Sequence, residues 1–177
     1  TLSDECEVLM SRLEDFFHGN SQTRSLFANA DLKFGKIRNS EGKLVELTDT
    51  NYVPFLMSGD RRVRQAAFRT LYKTYEQFGN TFAALYNNHL KENTTLAKVR
   101  NFKDSITAST FHDEVTPEIY NNLIASVNGG LQPLYDYYEL KRRILGVDKL
   151  HLYDVYAPLI SELDKKYTYE EAVEETL

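Results

Sequence analysis

Apolar residues recur at steps of three and four along most of this chain, which is the spacing of an amphipathic α-helix. The longest run extends from Arg61 to about Phe102 without an interrupting proline. Asp60 precedes it as a suitable N-cap, while Gly79 and the Asn93-Thr94-Thr95 stretch are weak points within it. The run therefore predicts either one long helix or two helices with a tight join. Its apolar positions are Val63, Ala67, Leu71, Phe78, Phe82, Leu85, His89 or Leu90, and Val99.

The N-terminal segment shows the same periodicity over residues 3–18. Ser3 can cap this helix, and Gly19-Asn20 supplies a stop signal. Cys6 lies on the apolar face with no histidine nearby in sequence, so we interpret it as a small buried hydrophobic residue. The predicted apolar face consists of Cys6, Leu9, Leu13, Phe16 and Phe17.

A second long helical pattern occupies the third quarter of the chain and ends at Gly146. Thr116-Pro117 opens it, because threonine favours the cap position and proline the first helical position. Gly129-Gly130 should kink this helix or split it into two. Gly146 follows a turn with three cations, and cations before a glycine that can turn left-handed are typical of a helix end.

Shorter helices are indicated by their caps. Thr48 can cap a short helix that includes Pro54, and residues 104–110 favour another short helix. Thr168 and Glu171 have the spacing of a capping box and predict a final helix.

One segment, residues 32–47, carries a β signal instead. Two apolar stretches flank Asn39-Ser40-Glu41-Gly42, which predicts a hairpin with a four-residue loop. An isolated two-stranded hairpin is only marginally stable and needs a surface to lie on. We therefore expect an ornament on a helical body.

Together these patterns predict an all-α fold of long antiparallel helices with one small β-hairpin at about residues 32–47. The chain is interpreted as a single helical segment with five parts. These are residues 1–30 (helix and connector), 31–48 (hairpin), 49–102 (short helix plus long helix), 103–146 (helical hairpin partner) and 147–177 (linker and truncated helix).

Composition narrows the functional classes. The 177 residues carry a net charge of -5 with a pI near 5.4. This negative charge argues against binding to nucleic acid and against binding to an anionic membrane surface. The sequence contains neither an apolar run long enough to span a bilayer nor a signal-peptide pattern. Its one cysteine cannot form an internal disulfide, which favours a cytoplasmic location. The chain starts at Thr1 and stops at Leu177 within a helical pattern, so we expect a piece of a longer protein.

Four arginines lie in the first half of the longest helical run. Cations at this end oppose the helix dipole, so we expect them to pair with acidic residues elsewhere. A phosphate site is the alternative, although no glycine-rich loop accompanies them. The residues are Arg61, Arg62, Arg64 and Arg69.

The stretch from Leu134 to Leu159 concentrates five of the twelve tyrosines. Beyond Gly146, polar or aromatic residues alternate with aliphatic ones, which predicts an extended, partly buried segment. A purely structural interpretation is that the tyrosines pack amphipathically with solvated hydroxyls. The polar or aromatic residues are His151, Tyr153, Asp154 and Tyr156, and the aliphatic residues are Leu150, Leu152 and Val155.

Metal or nucleophile chemistry has no clear signature in the sequence. A helical zinc site needs two histidines four residues apart with an adjacent glutamate, and no two of the four histidines have that spacing. His112-Asp113-Glu114 is the densest ligand-like cluster, but adjacent residues on a loop point in different directions. We therefore predict no catalytic and no metal-ligating residue here. The histidines are His18, His89, His112 and His151.

Long runs of this chain resemble the oligoendopeptidase F family, which belongs to the thimet-oligopeptidase-like zinc metallopeptidases. The run YYELKRRILGVDKLHLYDVYAPL is similar to the segment that precedes the zinc-binding helix of that family. The upstream runs match in family order and without large gaps. They are NADLKFGKIRNSEGKLVELTDTNYVPFL (29–56), DRRVRQAAFRTLYKTYEQFGNTFAALYN (60–87) and VRNFKDSITASTFHDEVTPEIYNNLI (99–124).

The resemblance implies that the complete protein is a zinc-dependent endopeptidase that hydrolyses internal bonds of short peptides. In such an enzyme a zinc-bound water, deprotonated with help from a glutamate, attacks the peptide carbonyl. The family's H-E-x-x-H helix, its third zinc ligand and its transition-state Tyr and His residues lie downstream of the matched region. This chain alone is therefore expected to be inactive and to hold no zinc.

The resemblance also implies that this segment forms part of the helical wall of a channel that admits only short peptides. The candidate channel residues lie in the linker nearest the catalytic core: His151, Tyr153, Asp154 and Tyr156. The implied partners are an oligopeptide substrate and the rest of the same polypeptide, without nucleic acid or membrane. The alternative is a non-enzymatic α-helical module that binds partner proteins through exposed aromatic surface.

Overall fold

Helices make up most of the computed structural model, which describes residues 2–160 and 168–176. The only sheet in these residues is a two-stranded antiparallel hairpin, so the predicted fold class is confirmed. The helices are α1 (Asp4–Arg12), α2 (Glu14–Leu26), α3 (Asp49–Leu56), α4 (Arg61–Gln77), α5 (Gly79–Val99), α6 (Ser105–Thr110), α7 (Pro117–Gly129), α8 (Gln132–Ile144) and α9 (Tyr169–Thr176). The strands are β1 (Lys36–Arg38) and β2 (Leu44–Glu46), and single turns of π- and 3-10 helix cover Phe27–Asp31 and Leu152–Asp154.

The N-terminal helix differs from its prediction in length and in burial. It is divided at Leu13 into α1 and α2, and α2 continues past Gly19 to Leu26. The side chain of Asn20 donates to the carbonyl of Leu85 on α5 at 3.0 Å, a tertiary bond that holds the helix beyond the glycine. Cys6 is exposed and α1 buries no residue, so the prediction of a buried cysteine was wrong.

The longest helical run forms two helices, as the alternative prediction allowed. Asp60 caps α4, since its Oδ1 accepts a hydrogen bond from the Arg62 backbone at 2.9 Å. The helix ends at Phe78, whose φ of -107° and ψ of 18° interrupt the regular backbone, and Gly79 begins α5.

The hairpin pairs Ile37 with Val45, and its strands are shorter than the sequence pattern indicated. Gly42 adopts a φ of 78°, a conformation that favours glycine and closes the loop between the strands. The prediction of a surface ornament was wrong, because residues of the hairpin and its flanks form most of the buried core cluster. The cluster consists of Leu32, Phe34, Ile37 and Leu47 together with Ala67 and Leu71 of α4.

Local signals placed the remaining helices correctly. Thr116 caps α7, the Gly129-Gly130 pair separates α7 from α8, and Gly146 has a left-handed φ of 62° after α8. The capping box at the start of α9 is present, since Glu171 Oε2 accepts from the Thr168 backbone at 2.8 Å. The rest of the predicted linker, residues 161–167, lies outside the described residues.

Helices α7 and α8 leave most of their large apolar side chains exposed. Helix α7 buries no residue, and the one buried residue of α8 is Lys141. The exposed apolar residues are Ile119, Tyr120, Leu123, Ile124 and Val127 on α7, and Leu134, Tyr135, Tyr137, Leu140 and Ile144 on α8. In the described ranges, no helix has the length and apolar character needed to cross a membrane.

Candidate functional site

The linker that follows α8 contains the four residues singled out by the sequence. His151 is extended, but Leu152–Asp154 form a single turn of 3-10 helix. The predicted extended conformation was therefore wrong. The turn forms because Asp154 donates its backbone N–H to the His151 carbonyl at 2.8 Å, while Asp154 Oδ2 accepts from the His151 backbone at 3.1 Å.

Asp154 is the most completely enclosed of the four, with no solvent exposure. Its Oδ1 accepts from Arg64 Nη2 at 2.8 Å, and its Oδ2 accepts from Arg61 Nη2 at 2.9 Å. Burial by itself raises the pKa of Asp154, but the hydrogen bonds from Arg61 and Arg64 outweigh it and lower the pKa to about 2. The carboxylate is therefore ionised at neutral pH.

Three of the four arginines of α4 pair with acids, as the sequence suggested. Arg64 is buried beneath Asp154 and also donates through Nη1 to the carbonyls of Ser58 and Gly59 at 2.8 and 3.1 Å. Arg61 is partly exposed, and the hydrogen bond to Asp154 raises its pKa. Arg62 instead pairs with Asp60 at 2.9 Å on the surface. The donors that a phosphate would need are thus largely engaged, and Arg69 forms no ion pair within the described residues.

Tyr153 is buried against the same helix. Its hydroxyl accepts from Gln65 Nε2 at 3.2 Å, and the Arg61 guanidinium lies 5.3 Å from its ring centroid. The ring stacks on His151 with 4.9 Å between centroids and meets Phe68 edge-on at 5.9 Å. Hydrogen bonding, cation–π and aromatic contacts therefore all hold this side chain in one place.

Helix α8 holds the linker from its other side. Lys141 is buried, and its Nζ donates to the Val155 carbonyl at 2.7 Å. Arg142 donates through Nη1 to the Val147 carbonyl at 3.0 Å. From the sequence we interpreted these cations only as helix C-terminal residues, and their contact with the linker was missed.

His151 and Tyr156 have their side chains in solvent, and Tyr156 is 53% exposed. Burial raises the pKa of Tyr52 to about 12, and the nearby hydroxyls of Tyr72 and Tyr156 add to the rise. The structure thus separates the four candidates into two buried residues that hold the linker and two exposed ones that are free to contact a ligand.

The histidines do not form a metal centre in the part of the chain that the structure describes. No group of three or more His, Cys, Asp or Glu side chains there is arranged to hold a metal ion. His18 and His112 line a common cleft of about 460 Å³, which residues of α1, α2, α5 and α6 also line. Glu7 and Arg100 line it too and form an ion pair at 3.1 Å, so charge within the cleft is partly neutralised.

The chain is similar to known peptidases over nearly all of its length. The sequence model of Peptidase family M3 matches residues 55–177. Oligopeptidase PepF of Bacillus subtilis (strain 168) is 34% identical over 171 residues, which are 97% of this chain and 26% of the relative. Group B oligopeptidase PepB of Streptococcus agalactiae is 34% identical over 175 residues, which are 99% of this chain and 29% of the relative.

A solved structure gives the same result for the fold. The crystal structure of oligoendopeptidase-F from Enterococcus faecium superposes with a TM-score of 0.88 at 41% identity and covers 93% of this chain. This chain covers 32% of that protein, so it spans about a quarter to a third of the length of the relatives that it matches.

Proposed function

The chain belongs to peptidase family M3, and from this premise we propose that it is part of a zinc-dependent oligoendopeptidase that hydrolyses internal bonds of short peptides. The observation that carries the proposal is the similarity over nearly the whole chain to proteins named oligopeptidase or oligoendopeptidase F. The resemblance found in the sequence to oligoendopeptidase F is confirmed by the same findings.

Within that enzyme we assign this segment to the helical wall of the substrate channel. His151 and Tyr156 are the residues we expect to contact the peptide, because their side chains are exposed on a rigidly held linker. An imidazole and a phenol offer both an apolar ring and a hydrogen-bonding group, which suits a substrate with a polar backbone and varied side chains. Tyr153 and Asp154 are buried and hold the linker on which these two residues lie.

Zinc in this proposal is bound by residues outside the present sequence. The chain contains no H-E-x-x-H motif, and its described residues offer no ligand cluster. The described residues of this chain therefore do not fit a zinc site, and we propose that the chain by itself does not cleave peptides.

The rest of the polypeptide is the partner we propose for α7 and α8. Their exposed apolar side chains are numerous enough to require a cover in the complete enzyme.

The single cysteine, exposed and without a possible internal partner, supports a reducing, cytoplasmic location.

The test is cleavage of a quenched fluorescent oligopeptide by the complete protein and by this chain alone. We expect cleavage by the complete protein, its loss on chelation and its recovery when zinc is added back, with no cleavage by the chain alone. Chelator-sensitive cleavage by the chain alone would mean that a site lies within it, with the cleft around His112 as the first place to examine. An inactive complete protein would instead favour the non-enzymatic interaction module.

A further inference from the structure

Cationic side chains from two helices hold a linker that has little regular structure of its own. Helix α4 contributes Arg61 and Arg64 to the Asp154 carboxylate. Helix α8 contributes Lys141 and Arg142 to linker carbonyls. Because the linker has few backbone hydrogen bonds, its conformation depends on these side-chain contacts.

Stability alone is a poor explanation for this arrangement. Asp154 has no solvent exposure and the Arg64 side chain only 3%, so both charges lose most of their hydration. Such burial is costly for each ion, and apolar residues of similar volume often stabilise a protein equally well or better. Arg64 Nε is also buried without a hydrogen-bond partner among the described residues, which adds to the cost. In some proteins a buried ion pair selects one conformation without raising stability.

The conformation selected here is centred on Asp154. Its carboxylate accepts from the His151 backbone, and its own backbone N–H donates to the His151 carbonyl at 2.8 Å. Its carbonyl accepts from the Ala157 backbone at 3.1 Å. Asp154 thus closes the linker on both sides, with exposed His151 before it and exposed Tyr156 after it.

We propose that Asp154 is a positioning residue for peptide binding, which holds His151 and Tyr156 where they contact the substrate. This inference rests on the proposed peptidase function and on the exposed pair as its substrate contacts. Asp154 itself does not touch the peptide, because it is fully enclosed by α4 and the linker. Its loss should therefore act on substrate binding through the two exposed residues.

The experiment measures steady-state cleavage of a quenched fluorescent oligopeptide by variants of the complete enzyme. Asp154→Asn keeps the shape of the side chain but removes the charge that both arginines require. We expect it to raise KM by about tenfold while kcat changes much less, because an interaction shared by ground and transition states is lost. His151→Ala and Tyr156→Ala should each raise KM as well.

A double-variant cycle shows whether Asp154 acts through the exposed residues. If it does, Asp154→Asn combined with Tyr156→Ala raises KM by much less than the product of the single effects. Asp60→Asn is the matched control, because it neutralises an aspartate that is paired with an arginine of the same helix at 2.9 Å and whose carboxylate, among the described residues, accepts hydrogen bonds from Arg62 and not from the linker. Asparagine also preserves the cap, so we expect wild-type kinetics for this variant.

Several outcomes would overturn the inference. An unchanged KM in Asp154→Asn, or single effects that simply multiply, would show that Asp154 does not act through Tyr156. A fall in kcat alone, in proportion to the fraction of unfolded protein, would show a merely structural role. If Asp154→Asn does not fold, Arg61→Gln retains the Arg64 contact and should raise KM by a smaller factor, and an unchanged KM there would refute the proposal. A wild-type enzyme without chelator-sensitive cleavage would refute the proposed function and this inference together.

Discussion

The enclosed carboxylate of Asp154 links the stability of the chain to pH. Its pKa falls from 3.8 to about 2 on folding, so the folded state binds fewer protons than the unfolded state in this range. The stabilisation is therefore complete above about pH 4 and is lost as the pH falls through about 2, and a shift of this size corresponds to about 2 kcal/mol. Protonation removes the negative charge with which both Arg61 and Arg64 form their ion pairs among the described residues.

Asp154→Asn should remove this part of the acid dependence. We expect the variant to be less stable than the wild type at neutral pH and to lose less stability on acidification, because it has no charge to neutralise. Urea unfolding, followed by circular dichroism at a series of pH values, measures the difference. Asp148→Asn, which changes an exposed aspartate of the same linker, is the control. Parallel acid profiles for wild type and Asp154→Asn would contradict the expectation.

At the scale of elements, the hairpin has a larger structural role than its length suggests. Leu47, just after β2, is 1% exposed, whereas Leu44 within β2 is 59% exposed. Leu47→Ala should therefore lower the free energy of unfolding by about 2–5 kcal/mol, as large-to-small changes in a core do. Leu44→Ala removes the same atoms from a solvent-exposed position and should change stability by less than about 0.5 kcal/mol. Urea titration of both variants measures the contrast, and equal effects would mean that the hairpin is not a core element.

The elements that were predicted correctly from the sequence are those fixed by local chemistry. Asp60 and Thr116 cap their helices through bonds to residues two or three positions ahead, and Gly146 turns left-handed at a helix end. Such signals lie within a few residues of one another, so a single sequence contains them. The fold class and these helix caps follow from them.

The features that the sequence could not show depend on contacts between residues that are far apart in the chain. The alternation around Asp154 indicated an extended strand, but the turn is fixed by Arg61, which is 93 residues away in the chain. The sequence marked both the arginines and the acid as notable, yet it offered no means of pairing them. In the same way, the burial of Leu47 requires contact with α4, and the exposure of Cys6 follows from the absence of any element over the α1 face in the described residues.

At the scale of the whole molecule, the unburied faces of α7 and α8 are the main property that the local patterns do not explain. A helix with periodic apolar residues normally places them against another element. Here Leu123 is 63% exposed and Val127 is 56% exposed, one turn apart on α7. If the rest of the enzyme covers this face, the peptidase proposal is supported. If the face stays in solvent, the alternative of an interaction module is supported instead.

Charged substitutions on that face distinguish the two cases. Leu123→Lys combined with Val127→Lys should reduce self-association and dye binding of the isolated chain, with little loss of stability, because the positions are exposed there. In the complete protein the same pair should lower the free energy of unfolding by on the order of 2 kcal/mol or more, because covering the face would bury two charges.

Asn122→Lys, an exposed polar position of the same helix, controls for the added charge. Sedimentation, fluorescence of a hydrophobic dye and thermal unfolding provide the measurements. A complete protein that tolerates both lysines would show that the face remains in solvent, contrary to our proposal that the rest of the polypeptide packs against it.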